Sequence, residues 1–127
     1  YKRLEGVIDH FMPRSRRNNT YCKRLTAITE AAINRASTIS DLRAAFSNNR
    51  YHKVNLEAYA RHRTVEFRQH GGSTNFTKMS AWIHFLAKMI TFAKQGKVQA
   101  GTTLQNIPFL TESEKLYLKI RTKKLAV

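Results

Sequence analysis

The chain has 127 residues, 42% of them hydrophobic, which suffices for one modest core and falls short of a train of domains. Lysine and arginine number 23 against 8 acidic residues, giving a formal charge of +15; such an excess favours anionic partners, nucleic acid or a phosphate-bearing substrate first. No run reaches the roughly 18 apolar residues of a membrane span, no apolar leader opens the chain, and the lone Cys22 excludes an internal disulfide and a zinc ribbon. A soluble, intracellular protein is expected, with no membrane partner.

Leu4, Val7, Ile8 and Phe11 recur at helical spacing up to Pro13, so residues 2–12 are expected to be a helix. The opening at Tyr1, inside that pattern, suggests a piece of a longer product. Residues 13–24, PRSRRNNTYCKR, hold five basic side chains and no acid, and read as a basic loop. Leu25, Ile28, Ala32 and Ile33 predict a helix over 25–36, and a short one over 41–46 with Ser40 as its cap. Tyr51–Leu56 and Thr64–His70 are the strand candidates, an antiparallel pair separated by a turn around Glu57–Arg63. After Gly71-Gly72 a long helix runs from Phe76 to near Gly96, with Phe76, Met79, Ile83, Leu86 and Ile90 as its apolar stripe. Thr111 and Glu114 have the spacing of a capping box for a basic final helix over about 111–124. The fold class expected is α+β, a small, mainly antiparallel sheet packed against helices, in a single domain or half-domain.

Side chains alternate faces along a strand, so Glu66, Arg68 and His70 are expected to project together, about 7 Å apart at alternate positions. A carboxylate, a guanidinium and an imidazole in one row suit phosphoryl chemistry, in which charge is neutralised and a proton is moved. The same spacing equally describes an ion pair on the solvated face of an edge strand. Lys53 and Asn55 on the neighbouring strand add donors. Arg14, Arg16, Arg17 and Asn18 read either as a phosphate-binding loop or as a solvated charge run.

Taken together, PRSRRNNTYC at 13–22, RYHKVNLEAY at 50–59 and HRTVEFRQHGGS at 62–73, followed by a tryptophan-containing helix, resemble the C-terminal half of the amidoligase family. These are carboxylate–amine ligases with a glutamine-synthetase-like fold, found in phages, prophages and some fungi. The resemblance spans about residues 7–90; TVEFRQHGGS is its specific part, the arginine loop is moderately specific, and residues 97–127 add nothing to it.

The resemblance implies a reaction dependent on ATP and Mg2+, in which a carboxylate becomes an acyl phosphate and an amine displaces the phosphate to give an amide. It implies a catalytic set of Glu66, Arg68 and His70, with Glu66 as a metal or nucleotide-site carboxylate and Arg68 neutralising transferred phosphate. Arg14, Arg17, Asn18 and Asn55 match recurring family positions and, with Arg68, would face the nucleotide or the carboxylate substrate.

The departures are specific. The glutamate-rich first strand and the later histidine-rich strand of the family do not occur here, and one Glu66 cannot hold two or three magnesium ions. Arg63 stands where the family commonly has glycine. The expectation is half an active site completed by a second chain, or, as the alternative, a basic nucleic-acid-binding or assembly subunit on a ligase-like fold.

Overall fold

Proline has no backbone N–H to continue a helix. In the computed structural model, which describes residues 1–126, the first helical segment accordingly ends before Pro13. A 3-10 turn over Lys2–Leu4 leads into α1 (Glu5–His10), and Leu4, Ile8, Phe11 and Met12 are buried. The chain forms two compact units, one made of Tyr1–Arg14 with the segment from Gly71 onward, the other of Ser15–His70. Among the described residues there are six α-helices and one two-stranded antiparallel sheet, an α+β fold. None of these helices is long and apolar enough to cross a membrane.

In the first unit the core is aromatic. Asn75 caps the long helix α5 (Phe76–Ala93), its side chain accepting the Lys78 N–H at 3.0 Å. Helix α5 buries Trp82, Phe85 and Met89. Phe85 stacks on Trp82 with centroids 5.7 Å apart and meets Phe11 and Phe109 edge-on at 5.6 and 5.4 Å. This corrects the expected stripe: Phe76, Met79, Ile83 and Ile90 are exposed, Phe76 by 78%. The helix carries apolar residues around more than one face, and the aromatic partners of Phe85 select the inward one.

Helix α6 (Glu112–Leu125) begins with the expected capping box, the Thr111 hydroxyl accepting the Glu114 N–H at 3.2 Å and the Glu114 carboxylate accepting the Thr111 N–H at 2.8 Å. Lys88 on α5 bonds the same carboxylate at 2.5 Å. Partial burial pushes the Glu114 carboxyl upward, but the bonds from Lys88 and Thr111 outweigh it and hold the group below the usual carboxylate range.

In the second unit the caps move two expected helix starts. Helix α2 is Glu30–Arg35 rather than 25–36, because Thr29 accepts the Ala32 N–H at 3.1 Å and fixes the start there. Leu25 and Ile28 are still buried, but in a turn closed by the Ile28 N–H on the Leu25 carbonyl at 3.0 Å. Helix α3 (Ile39–Ala45) is capped by Thr38 and not Ser40: Thr38 accepts the Asp41 N–H at 3.1 Å, while the Asp41 carboxylate accepts from the N–H and hydroxyl of Ser37. The expected turn at 57–63 is a short helix, α4 (Ala58–His62). Arg63 closes it in the left-handed region, φ 57°, a conformation that favours glycine.

The strands are β1 (Val54–Asn55) and β2 (Glu66–Phe67), with Val54 opposite Phe67 and Asn55 opposite Glu66. Pairing is antiparallel as expected, but far shorter than 51–56 with 64–70. At one end the Asn55 side chain accepts the Glu57 N–H at 2.9 Å and turns the chain into α4. At the other, the carbonyls of Arg68 and Gln69 are taken by the Arg16 side chain.

Arg43 grips Glu57 through two bonds, 2.7 and 3.2 Å, and Asn48 adds a third at 3.1 Å. The Arg43 hydrogen bond holds the Glu57 carboxyl below its ordinary value. A depressed carboxylate contributes stability that is present above its unfolded value and is lost as pH falls through the folded one. The Glu57→Gln variant is therefore less stable than the parent at neutral pH, and the gap narrows on acidification, as thermal melts across that range will read. Thr111→Ala removes one half of the capping box and costs about 1 kcal/mol in urea unfolding.

Candidate functional site

The short ladder gathers the candidate residues of the second unit. Directly opposed residues of an antiparallel pair share a face, and faces alternate along each strand. Val54 and Phe67 therefore share one face, and Asn55 and Glu66 the other. The ladder extends one bond further, from the Arg68 N–H to the Lys53 carbonyl at 2.8 Å, which sets Arg68 against Lys53 on the Asn55 side. A third segment lies along β1, since the Lys23 N–H donates to the Tyr51 carbonyl at 2.7 Å and the Lys53 N–H to the Lys23 carbonyl at 3.1 Å.

Arg68 is the hub. Its Nη1 donates to Glu66 Oε1 at 2.6 Å, its Nε reaches the Tyr21 carbonyl at 3.4 Å, and its guanidinium lies 5.4 Å from the centroid of the Tyr51 ring. The Arg50 guanidinium lies 4.8 Å from the same ring. The Tyr21 ring meets Tyr51 edge-on at 5.5 Å. Cation–π contacts and a carboxylate hold the arginine in one orientation while leaving it near the surface.

Arg16 supports this arrangement from the basic loop. Its Nε donates to the Gln69 carbonyl at 3.1 Å and its Nη2 to the Arg68 carbonyl. Gln69 is fully buried, as is Lys53.

Glu66 and Arg68 thus come together as the alternating row predicted, and Asn55 stands opposite Glu66 with its side chain engaged by Glu57 N–H. His70 lies in a bend beyond the end of β2, half-buried, so the pleat of the strand does not aim it. Arg17 and Asn18 lie in the loop after a 3-10 turn over Arg14–Arg16, and Arg14 belongs to the first unit. Arg16, expected only as part of the basic loop, and Tyr21 and Tyr51, to which sequence reasoning assigned no role, are the further members of the cluster. The signal was an arginine in a loop already read as basic and two tyrosines at opposite ends of the quoted blocks; their meeting depends on the parallel bridge between Lys23 and His52.

The donor set suits an anion. The partly exposed Arg68 guanidinium, with Arg50 near the same tyrosine ring, suits phosphate or carboxylate oxygens. A divalent cation fits less well: Glu66 is already paired to Arg68, and no group of three His, Cys, Asp or Glu side chains able to hold a metal ion occurs among the described residues. These residues do not by themselves make a magnesium site. A separate groove of about 280 Å3 in the first unit, between α5 and α6 and bordered by Ser80, His84 and Tyr117, contains none of the candidate residues.

The Arg68–Glu66 pair lies inside the TVEFRQHGGS segment. The model of a family described as putative amidoligase enzyme matches residues 2–90, most of the chain, and the protein belongs to that family. No curated protein and no solved structure matches the chain.

Arg16→Ala removes the Arg16 donors from the carbonyls of Arg68 and Gln69, and is expected to cost about 1–3 kcal/mol in chemical unfolding. Arg16→Lys recovers only part of this, because an ammonium cannot present two fixed donors to two carbonyls.

Proposed function

We propose that this chain supplies the anion-clamping part of an ATP-dependent amidoligase. In that reaction a carboxylate oxygen attacks the terminal phosphorus of ATP, ADP leaves, and an amine then attacks the acyl carbon. Phosphate departs with the bonding electrons of the C–O bond, the nitrogen loses a proton, and an amide remains. The observation that carries the reading is the Arg68–Glu66 pair at 2.6 Å within the family-matched segment, set against Lys53 and Asn55.

Phosphoryl transfer asks mainly for positioning and for fixed positive charge near the equatorial oxygens. Arg68 supplies that charge already oriented, since Glu66, the Tyr21 carbonyl and the Tyr51 ring restrict its rotamers before any ligand arrives. Glu66 is a positioning residue in the resting state, and Arg16 holds the chain that carries Arg68. His70 is assigned a secondary part, receiving or donating a proton near the same strand end. Arg17, Asn18 and Asn55, all in the second unit, are assigned to nucleotide or carboxylate recognition. Any magnesium accompanying the nucleotide would take its protein ligands from outside this cluster, Glu66 being paired to Arg68.

The test separates clamping from turnover. Calorimetry with a non-hydrolysable ATP analogue is expected to show binding that Arg68→Ala weakens by about tenfold to a hundredfold, the loss of a charge-assisted contact, with an unchanged circular dichroism spectrum. Arg68→Lys recovers little because it lacks the planar fork. Equal affinity in Arg68→Ala and the parent overturns the assignment.

A further inference from the structure

Tyr21 is exposed by 63%, yet nothing about its backbone is loose. Asn19 and Cys22 exchange backbone hydrogen bonds at 3.4 and 3.2 Å, closing a tight turn with Tyr21 near its tip. The Asn19 side chain accepts the Tyr21 N–H at 2.9 Å and donates to the Ser15 carbonyl at 2.5 Å. Next to it Cys22 is fully buried, its Sγ 3.2 Å from the Arg16 carbonyl. The turn is anchored inward by Cys22 and offers Tyr21 outward, its ring T-shaped to that of Tyr51 and 63% of the residue exposed.

An aromatic ring held this way among cations has a recognisable use. Arg50 and Arg68 flank Tyr51, Lys23 and the exposed Arg24 follow Tyr21 in the chain, and the unit from Ser15 to His70 has eleven lysines and arginines against four acidic residues. Glu66, the carboxylate within the cluster, is paired to Arg68. Mononucleotides are bound in pockets that bury most of the ligand, whereas an open ring amid distributed positive charge fits a polymer whose bases are unpaired. Stacking on such a ring needs a free base face, and the flanking phosphates need separated cations.

We infer that the Tyr21 turn is a stacking platform for single-stranded nucleic acid, with Arg50, Arg68, Lys23 and Arg24 meeting the neighbouring phosphates. This does not rest on the ligase reading: Arg68 and the Tyr21 backbone carbonyl serve both, and the stacking face of the Tyr21 ring serves only this one.

The experiment is fluorescence anisotropy of the whole chain with a labelled oligothymidylate of about 20 nucleotides. Binding is expected to weaken about tenfold in Tyr21→Ala and to persist in Tyr21→Phe, which keeps the ring face. The affinity should fall with salt in the parent and the Tyr21→Ala variant alike, since the phosphate contacts remain. Unlabelled single strand should displace the probe better than a duplex of the same length. Should Tyr21→Ala lose its circular dichroism signal, Tyr21→Leu, which keeps an apolar side chain but has no π face, takes its place and is expected to bind as weakly. Tyr21→Ala or Tyr21→Leu binding as tightly as the parent overturns the inference, as does a preference for duplex, which would mark a charge-only surface.

Discussion

The hydrogen bond from the Arg68 N–H to the Lys53 carbonyl decides more of this molecule than its size suggests. It extends a ladder of only two residues per strand and thereby sets which side chains share a face. A shift of one residue would send Glu66 and Arg68 to the side occupied by Val54 and Phe67, burying charge and exposing the ring. Such a short ladder has little cohesion of its own. Its register is held instead by neighbours: Arg16 on the carbonyls that follow Arg68, the Lys23 segment beside Tyr51, and Asn55 turning the chain at Glu57. Side chains here do what longer strands do elsewhere.

The same economy governs the electrostatics. A chain of formal charge +15 repels itself, and its few carboxylates are placed where they organise a cation or a helix start. Glu57 binds Arg43, Glu66 binds Arg68, Glu114 binds Lys88 and caps α6, and Asp41 closes the turn before α3. Each is close to the surface, so each ion pair adds modest stability. Their larger effect is orientation. Arg68 is presented in one direction because Glu66 and Tyr51 leave it few others, and a preoriented guanidinium is what an incoming phosphate or carboxylate recognises.

Local sequence chemistry was legible wherever one interaction dominates. The capping box at Thr111 and Glu114, the stop at Pro13 and the antiparallel sense of the two strands each follow from residues close in sequence, as does the pairing of Glu66 with Arg68 two positions apart. Legibility failed where two local signals competed. Ser40 and Thr38 both offer a hydroxyl, and the reciprocal bonds between Asp41 and Ser37 favour Thr38. On α5 the stripe of Phe76, Met79, Ile83 and Ile90 fits the helical period yet lies outward, and Phe11 and Phe109, distant in sequence, pack on Phe85 instead. Glu57–Arg63 read as a turn because it separates two strands, yet Ala58–His62 are good enough helix formers to coil once, with Arg63 accepting the left-handed conformation that glycine adopts more readily.

The sequence by itself determined the family, through residue types and spacings that do not depend on how the chain folds, and the strong excess of positive charge. Only the tertiary structure decided that Arg16 supports the sheet, that Tyr21 and Tyr51 meet, and that Lys53 is fully buried while His70 falls outside the strand. The reason is physical. Charge and motif are sums and strings, readable residue by residue, whereas these contacts join segments 30 to 53 residues apart, and only the packed backbone brings them within hydrogen-bonding or ring-contact distance.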